Sequence, residues 1–134
     1  MRNYSKGASK ERALAEKFWK LGFAVVRAPA SGAKLKRWFS PDLTVMYRGR
    51  ILAFEVKYKS SGSTIYVDCE KVNKLIDFAN RAGGETYILV NFGDGWLYKK
   101  PSKCTGSLSV KRSEVDGDLD SLIKRIVNFN LFLT

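Results

Sequence analysis

Between Asp42 and Tyr58 the chain carries two runs of strand-like alternation, Asp42 to Tyr47 and Ile51 to Tyr58, separated only by Arg48-Gly49-Arg50. Two such runs joined by so tight a turn pair as an antiparallel hairpin. In the second run Leu52, Phe54, Val56 and Tyr58 share one face, which must be buried. Any fold open to this chain has to cover that hairpin. The opposite face, Ile51, Ala53, Glu55 and Lys57, is apolar until its end, where a carboxylate and an ammonium meet the edge of the core. Charges that are partly desolvated need a partner or a function.

The flanking sequence supplies the cover. From about Ser5 to Leu21 the spacing of Leu14, Phe18 and Leu21 is helical, and Gly22 stops the helix. Phe23 to Arg27 reads as a strand, followed by a basic loop from Ala28 to Ser40. Beyond the hairpin comes a short β segment, Thr64 to Val67. Asp68 then caps a helix that runs to about Ala82, with Val67 and Val72 as a hydrophobic staple, and Gly83-Gly84 ends it. Thr86 to Phe92, Gly93-Asp94-Gly95 and Trp96 to Lys99 form a second hairpin. Leu108 to Val110 adds an edge strand, and Leu119 to Val127 a last helix. This order predicts an α/β fold, a mixed β-sheet flanked by α-helices. With 134 residues and no repeat or linker, the expectation is one domain over 1–134, with a basic N-terminal arm at 1–6. The apolar tail, residues 128–134, either packs on the body or docks a protein partner.

Composition narrows the chemistry. Against 24 Lys and Arg stand 13 Asp and Glu, giving +11 and a pI near 9.8. That balance points to a polyanion, either nucleic acid or an anionic membrane surface. The N-terminus lacks an apolar signal core and no apolar run approaches the roughly 18 residues of a membrane span, so the expectation is nucleic acid and no membrane. The chain has no His, which rules out a Ser-His-Asp triad, a His base and a His-ligated zinc. Its 2 Cys, Cys69 and Cys104, are too few for a disulfide framework; both are expected as packed thiols in a reducing cytoplasm.

A lone Glu-x-Lys is most often a solvated ion pair, but two neighbours change its meaning here. The hairpin carries Asp42 to the end of the strand that bears Glu55 and Lys57. In the first helix Glu11 lies within the apolar stripe, with Leu14, Ala15, Phe18 and Gly22 all within about 60° of it, so it is expected to face the sheet. Carboxylates gathered at one sheet end repel unless a cation is held between them. A divalent metal ion is the natural candidate.

Pro41-Asp42 followed by Glu55-Val56-Lys57 resembles the PD-(D/E)xK nuclease signature of the restriction-endonuclease-like fold. More narrowly, Lys6-Gly7-Ala8-Ser9-x-Glu11-Arg12, the block Gly22 to Gly32, Pro41-Asp42, Glu55-Val56-Lys57 and Phe78-Ala79-x-x-x-Gly83-Gly84 together resemble the archaeal Holliday-junction resolvases. The bulky Arg37-Trp38-Phe39-Ser40 departs from that pattern. The resemblance implies a homodimer that hydrolyses phosphodiesters in paired strands of four-way junction DNA during recombination and repair, in the cytoplasm and associated with the nucleoid. It implies Mg²⁺, with Mn²⁺ as a substitute, on Asp42, Glu55 and the Val56 carbonyl, with Glu11 completing the shell. Lys57 then handles the nucleophilic water, and Ser31 lies near the scissile phosphate, although a Ser before Gly32 also suits a turn. Arg2, Lys6, Lys10, Arg12, Arg27, Lys34, Lys36 and Arg37 flank this site as candidate DNA-phosphate contacts. Two alternatives stay open: another PD-(D/E)xK repair or restriction endonuclease, and a non-catalytic basic nucleic-acid-binding module.

Overall fold

The computed structural model describes residues 2–28 and 38–133, with side chains for 6–28 and 38–128. Ser31, Lys34, Lys36 and Arg37, the side chain of Arg2 and the side chains of the apolar tail lie outside the described residues.

Three helices, α1 (Arg2–Lys20), α2 (Cys69–Ala82) and α3 (Leu119–Leu133), pack around a sheet. The strands are β1 (Ala24–Arg27), β2 (Leu43–Tyr47), β3 (Arg50–Tyr58), β4 (Thr64–Asp68), β5 (Glu85–Asn91), β6 (Trp96–Lys99), β7 (Ser107–Lys111) and β8 (Gly117–Asp118). Six of them form one mixed sheet in the order β1-β2-β3-β5-β6-β8. Both expected hairpins are present, β2 with β3 and β5 with β6, each antiparallel. The one parallel contact is β3 with β5, which needs a crossover, and α2 supplies it.

The crossover puts α2 on one sheet face and leaves α1 and α3 on the other. Leu14 and Phe18 of α1 and Leu122 and Ile126 of α3 pack on Leu52, Phe54, Val56 and Leu89. On the far face Val72 of α2 packs with Ile88, Val90, Ile65 and Val67. β3 is therefore buried on both sides. Asp68 caps α2 by accepting the Glu70 N–H at 3.0 Å, and Val67 and Val72 are both buried, as the staple requires. At the other end Gly83 takes φ 71°, and a Cβ on Gly84 would fall 2.5 Å from the Ile51 carbonyl, so each Gly has its own reason to be there.

Two expectations need correction. Leu108 to Val110 does not edge the main sheet: β7 pairs with β4 in a separate two-stranded sheet, and the edge is taken by the two-residue β8. Cys69 and Cys104 are not packed thiols but a disulfide with Cα atoms 5.4 Å apart. The cysteine count therefore no longer speaks for a reducing compartment. Among the described residues no helix is long and apolar enough to cross a membrane.

Candidate active site

The β2–β3 register, which pairs Leu43 with Phe54, places Asp42 one step further on, opposite Glu55. β2 has not yet begun at Asp42, so its side chain turns to the strand that has lost its partner. Its Oδ2 accepts the Val56 N–H at 2.9 Å. In an antiparallel ladder a residue presents its N–H and C=O to the same neighbour, so the Val56 carbonyl faces the same edge.

Glu55 sits beside Asp42 and pairs in register with Ile88, a core residue of the α2 face. It is 1% exposed. Its Oε2 is buried without a hydrogen-bond partner among the described residues. Two ammonium groups stand near it: Lys57 Nζ and Lys71 Nζ, each 3.8 Å away. That is within ion-pair range but too long for a hydrogen bond. Burial, reinforced by the negative charge of Asp42, pushes the Glu55 carboxyl up to about 7 against the pull of the two lysines. A buried carboxylate oxygen with no donor, next to a second carboxylate, is an arrangement that a divalent cation resolves.

Glu11 is placed differently. The stripe reading holds in that Leu14 and Phe18, on its face of α1, are buried; but that face packs on the sheet side away from Glu55. Glu11 comes to the site around the start of β2. Burial and Asp42 raise its pKa, opposed by Arg27. Its Oε1 accepts from Arg27 Nε at 3.1 Å, and the same guanidinium donates to the Ala8 carbonyl at 3.3 Å. Asp42 is thus electrostatically coupled to both Glu11 and Glu55, yet among the described residues no three acidic or Cys side chains are gathered into a ready metal cage.

Of the remaining described basic candidates, Lys10 and Arg27 have contacts at this end of the sheet. Lys10 Nζ lies 5.5 Å from the centre of the Tyr58 ring, at the end of β3 just past Lys57. Lys6, Lys10 and Arg12 are exposed, whereas Arg27 is half-buried and engaged with Glu11. Lys71 is the site residue that the sequence does not single out. One signal was available: a Lys in the first turn of a helix opposes the helix dipole, so its placement there asks for another explanation.

A mixed sheet with a Pro-Asp step and a Glu-x-Lys strand end at its carboxylate pair is the restriction-endonuclease-like fold. The solved structure of Hjc, a Holliday junction resolvase from Archaeoglobus fulgidus, superposes with a TM-score of 0.71 over 87% of this chain and 98% of that one, at 23% identity. The profile of the archaeal Holliday junction resolvase (Hjc) family matches residues 2–127, and the chain belongs to that family. Among its relatives, crossover junction endodeoxyribonuclease Hjc of Sulfurisphaera tokodaii is 41% identical over 86 residues, 64% of this chain and 59% of that protein. The Methanocaldococcus jannaschii protein of the same name is 37% identical over 98 residues, 73% of this chain and 68% of that protein. The match spans about three fifths of the length of the Sulfurisphaera tokodaii and Sulfolobus acidocaldarius relatives.

Proposed function

We propose that this chain is a metal-dependent endonuclease that cuts paired strands of four-way DNA junctions, acting as a homodimer in the cytoplasm on nucleoid DNA. The observation that carries the reading is Glu55 Oε2, buried beside Asp42, flanked by two ammonium groups and without a hydrogen-bond donor among the described residues. Membership of the resolvase family supports the choice of substrate.

Asp42 and Glu55, with the Val56 carbonyl, would hold Mg²⁺ or Mn²⁺, and Glu11 would complete the shell directly or through water. When bound, such an ion neutralises phosphate charge and makes water a stronger nucleophile at neutral pH. The chain's own groups do the rest. Asp42, fixed by the Val56 amide, holds its position without needing the ion. Arg27 holds Glu11 Oε1 at 3.1 Å and opposes the upward pull that burial and Asp42 exert on that carboxyl. In a chain without His, Lys57 is the strand-borne group that can orient the attacking water or take its proton. Lys6, Lys10 and Arg12, together with Ser31 and the basic residues Arg2, Lys34, Lys36 and Arg37, supply contacts to DNA phosphates that carry no sequence information.

Asp42→Asn, Glu55→Gln and Lys57→Ala should each abolish junction cleavage at saturating Mg²⁺ while leaving junction binding intact, because affinity is spread over many phosphate contacts. Glu11→Gln should lose most of its activity. Near wild-type turnover in any of these variants removes that residue from the site, and turnover in all of them ends the assignment of the active site to this end of β3.

A further inference from the structure

The geometry points to Lys71 as a second catalytic cation, delivered by α2 rather than by the strand, that contacts a non-bridging oxygen of the phosphate being cut. This rests on the nuclease reading above.

Lys57 and Lys71 approach the same atom, Glu55 Oε2, at the same 3.8 Å, from two elements on one sheet face. Neither donates a hydrogen bond to it, so neither is there to satisfy that oxygen. The Lys71 side chain is 53% exposed, yet its ammonium lies 3.8 Å from the buried Glu55 Oε2. A phosphate that approaches Glu55 from solvent would meet this ammonium. Position in the helix adds to the case. Lys71 is the third residue of α2, where the helix dipole opposes a cation by about 0.3–1 kcal/mol, so helix stability does not explain it. Lys74, one turn on, behaves as an ordinary surface residue and pairs with Glu70.

The turn that carries Lys71 is also fixed from both sides. Cys69 is bonded to Cys104 and donates its N–H to the Gly106 carbonyl at 3.0 Å. Asn73 exchanges two hydrogen bonds with the Cys104 backbone, at 2.9 and 3.0 Å. A lysine between two such anchors loses less freedom on meeting its ligand. In the hydrolysis, the water oxygen bonds to phosphorus, the bond to the 3′ oxygen breaks, and that oxygen takes a proton. Lys71 neutralises the oxyanion throughout and neither gains nor loses a proton.

The test compares wild type, Lys71→Ala, Lys71→Gln, Lys71→Arg and, as a control, Lys74→Ala. Single-turnover cleavage of a four-way junction is measured with protein and Mg²⁺ saturating, and Mg²⁺ affinity by calorimetry on the DNA-free protein. The Ala and Gln variants should cut about tenfold more slowly or worse, while the Arg variant recovers much of the rate. Lys74→Ala should stay within about twofold of wild type. Mg²⁺ should bind Lys71→Ala more tightly than wild type, because a competing cation has left Glu55. Slower cutting together with tighter metal binding is a pair of effects that mere loss of structure does not give. Wild-type cleavage by Lys71→Ala, or a parallel fall in its metal binding, overturns the proposal. A wild-type protein that cuts no DNA while binding Mg²⁺ overturns instead the nuclease reading on which it rests.

Discussion

Glu55 concentrates the chemistry of the chain in one side chain. Its carboxyl is raised from an ordinary value near 4.5 to about 7, by burial first and by Asp42 second. A carboxyl raised in the folded state contributes its full stability below pH 4.5 and loses it as pH rises through about 7, because the unfolded chain gives up the proton more readily. Metal-free protein should therefore carry a destabilising buried charge at pH 8 that it lacks at pH 5. Glu55→Gln, which keeps the shape and removes the charge, should be more stable than wild type in chelator at pH 8, by about 1–3 kcal/mol. The advantage should shrink at pH 5 and when Mg²⁺ is added at pH 8. Thermal unfolding of both proteins under the three conditions checks this; a Gln variant less stable than wild type at pH 8 would show that the oxygen is satisfied. Much of this was legible in the sequence. Strand alternation gave Glu55 and Lys57 one face, and the tight turn brought Asp42 to them. Lys71 was not legible, because its nearness to Glu55 depends on the distant β3–β5 pairing that sets α2 over the strand.

Among the elements, α2 matters most to the site. Its start was readable from Asp68 and its end from Gly83-Gly84, since caps are local chemistry. What local reasoning could not supply was the tether. Cys69 and Cys104 are 35 residues apart, and only the pairing of β4 with β7 and the return of the chain past Asn73 bring them together. The stripe of α1 was legible too, and Leu14 and Phe18 on it are buried, but the sheet face that the stripe covers was not, nor was the coupling of Glu11 to Asp42 that follows from it. Closing a loop of that length should be worth about 2–4 kcal/mol. Urea unfolding with and without reductant, and of Cys69→Ser, should show a loss of that size, with the main sheet retained because none of its pairings depends on the bond. Equal midpoints in both conditions would mean that the cross-link holds nothing in place.

The whole molecule presents a charge of +11, with Lys6, Lys10 and Arg12 exposed on α1 and Lys10 over the Tyr58 ring at the end of the strand that bears Glu55. A broad positive field draws in any nucleic acid and does not select among shapes. The proposed selectivity for junctions would need two sites at a fixed spacing, which an isologous dimer would provide. The measurement that tests this account most directly is cleavage, in Mg²⁺, of an end-labelled synthetic four-way junction beside a linear duplex of the same sequence. A dimeric junction nuclease should cut two strands of like polarity in the junction and leave the duplex intact. Equal cutting of the duplex, or cuts confined to one strand of the junction, would contradict it.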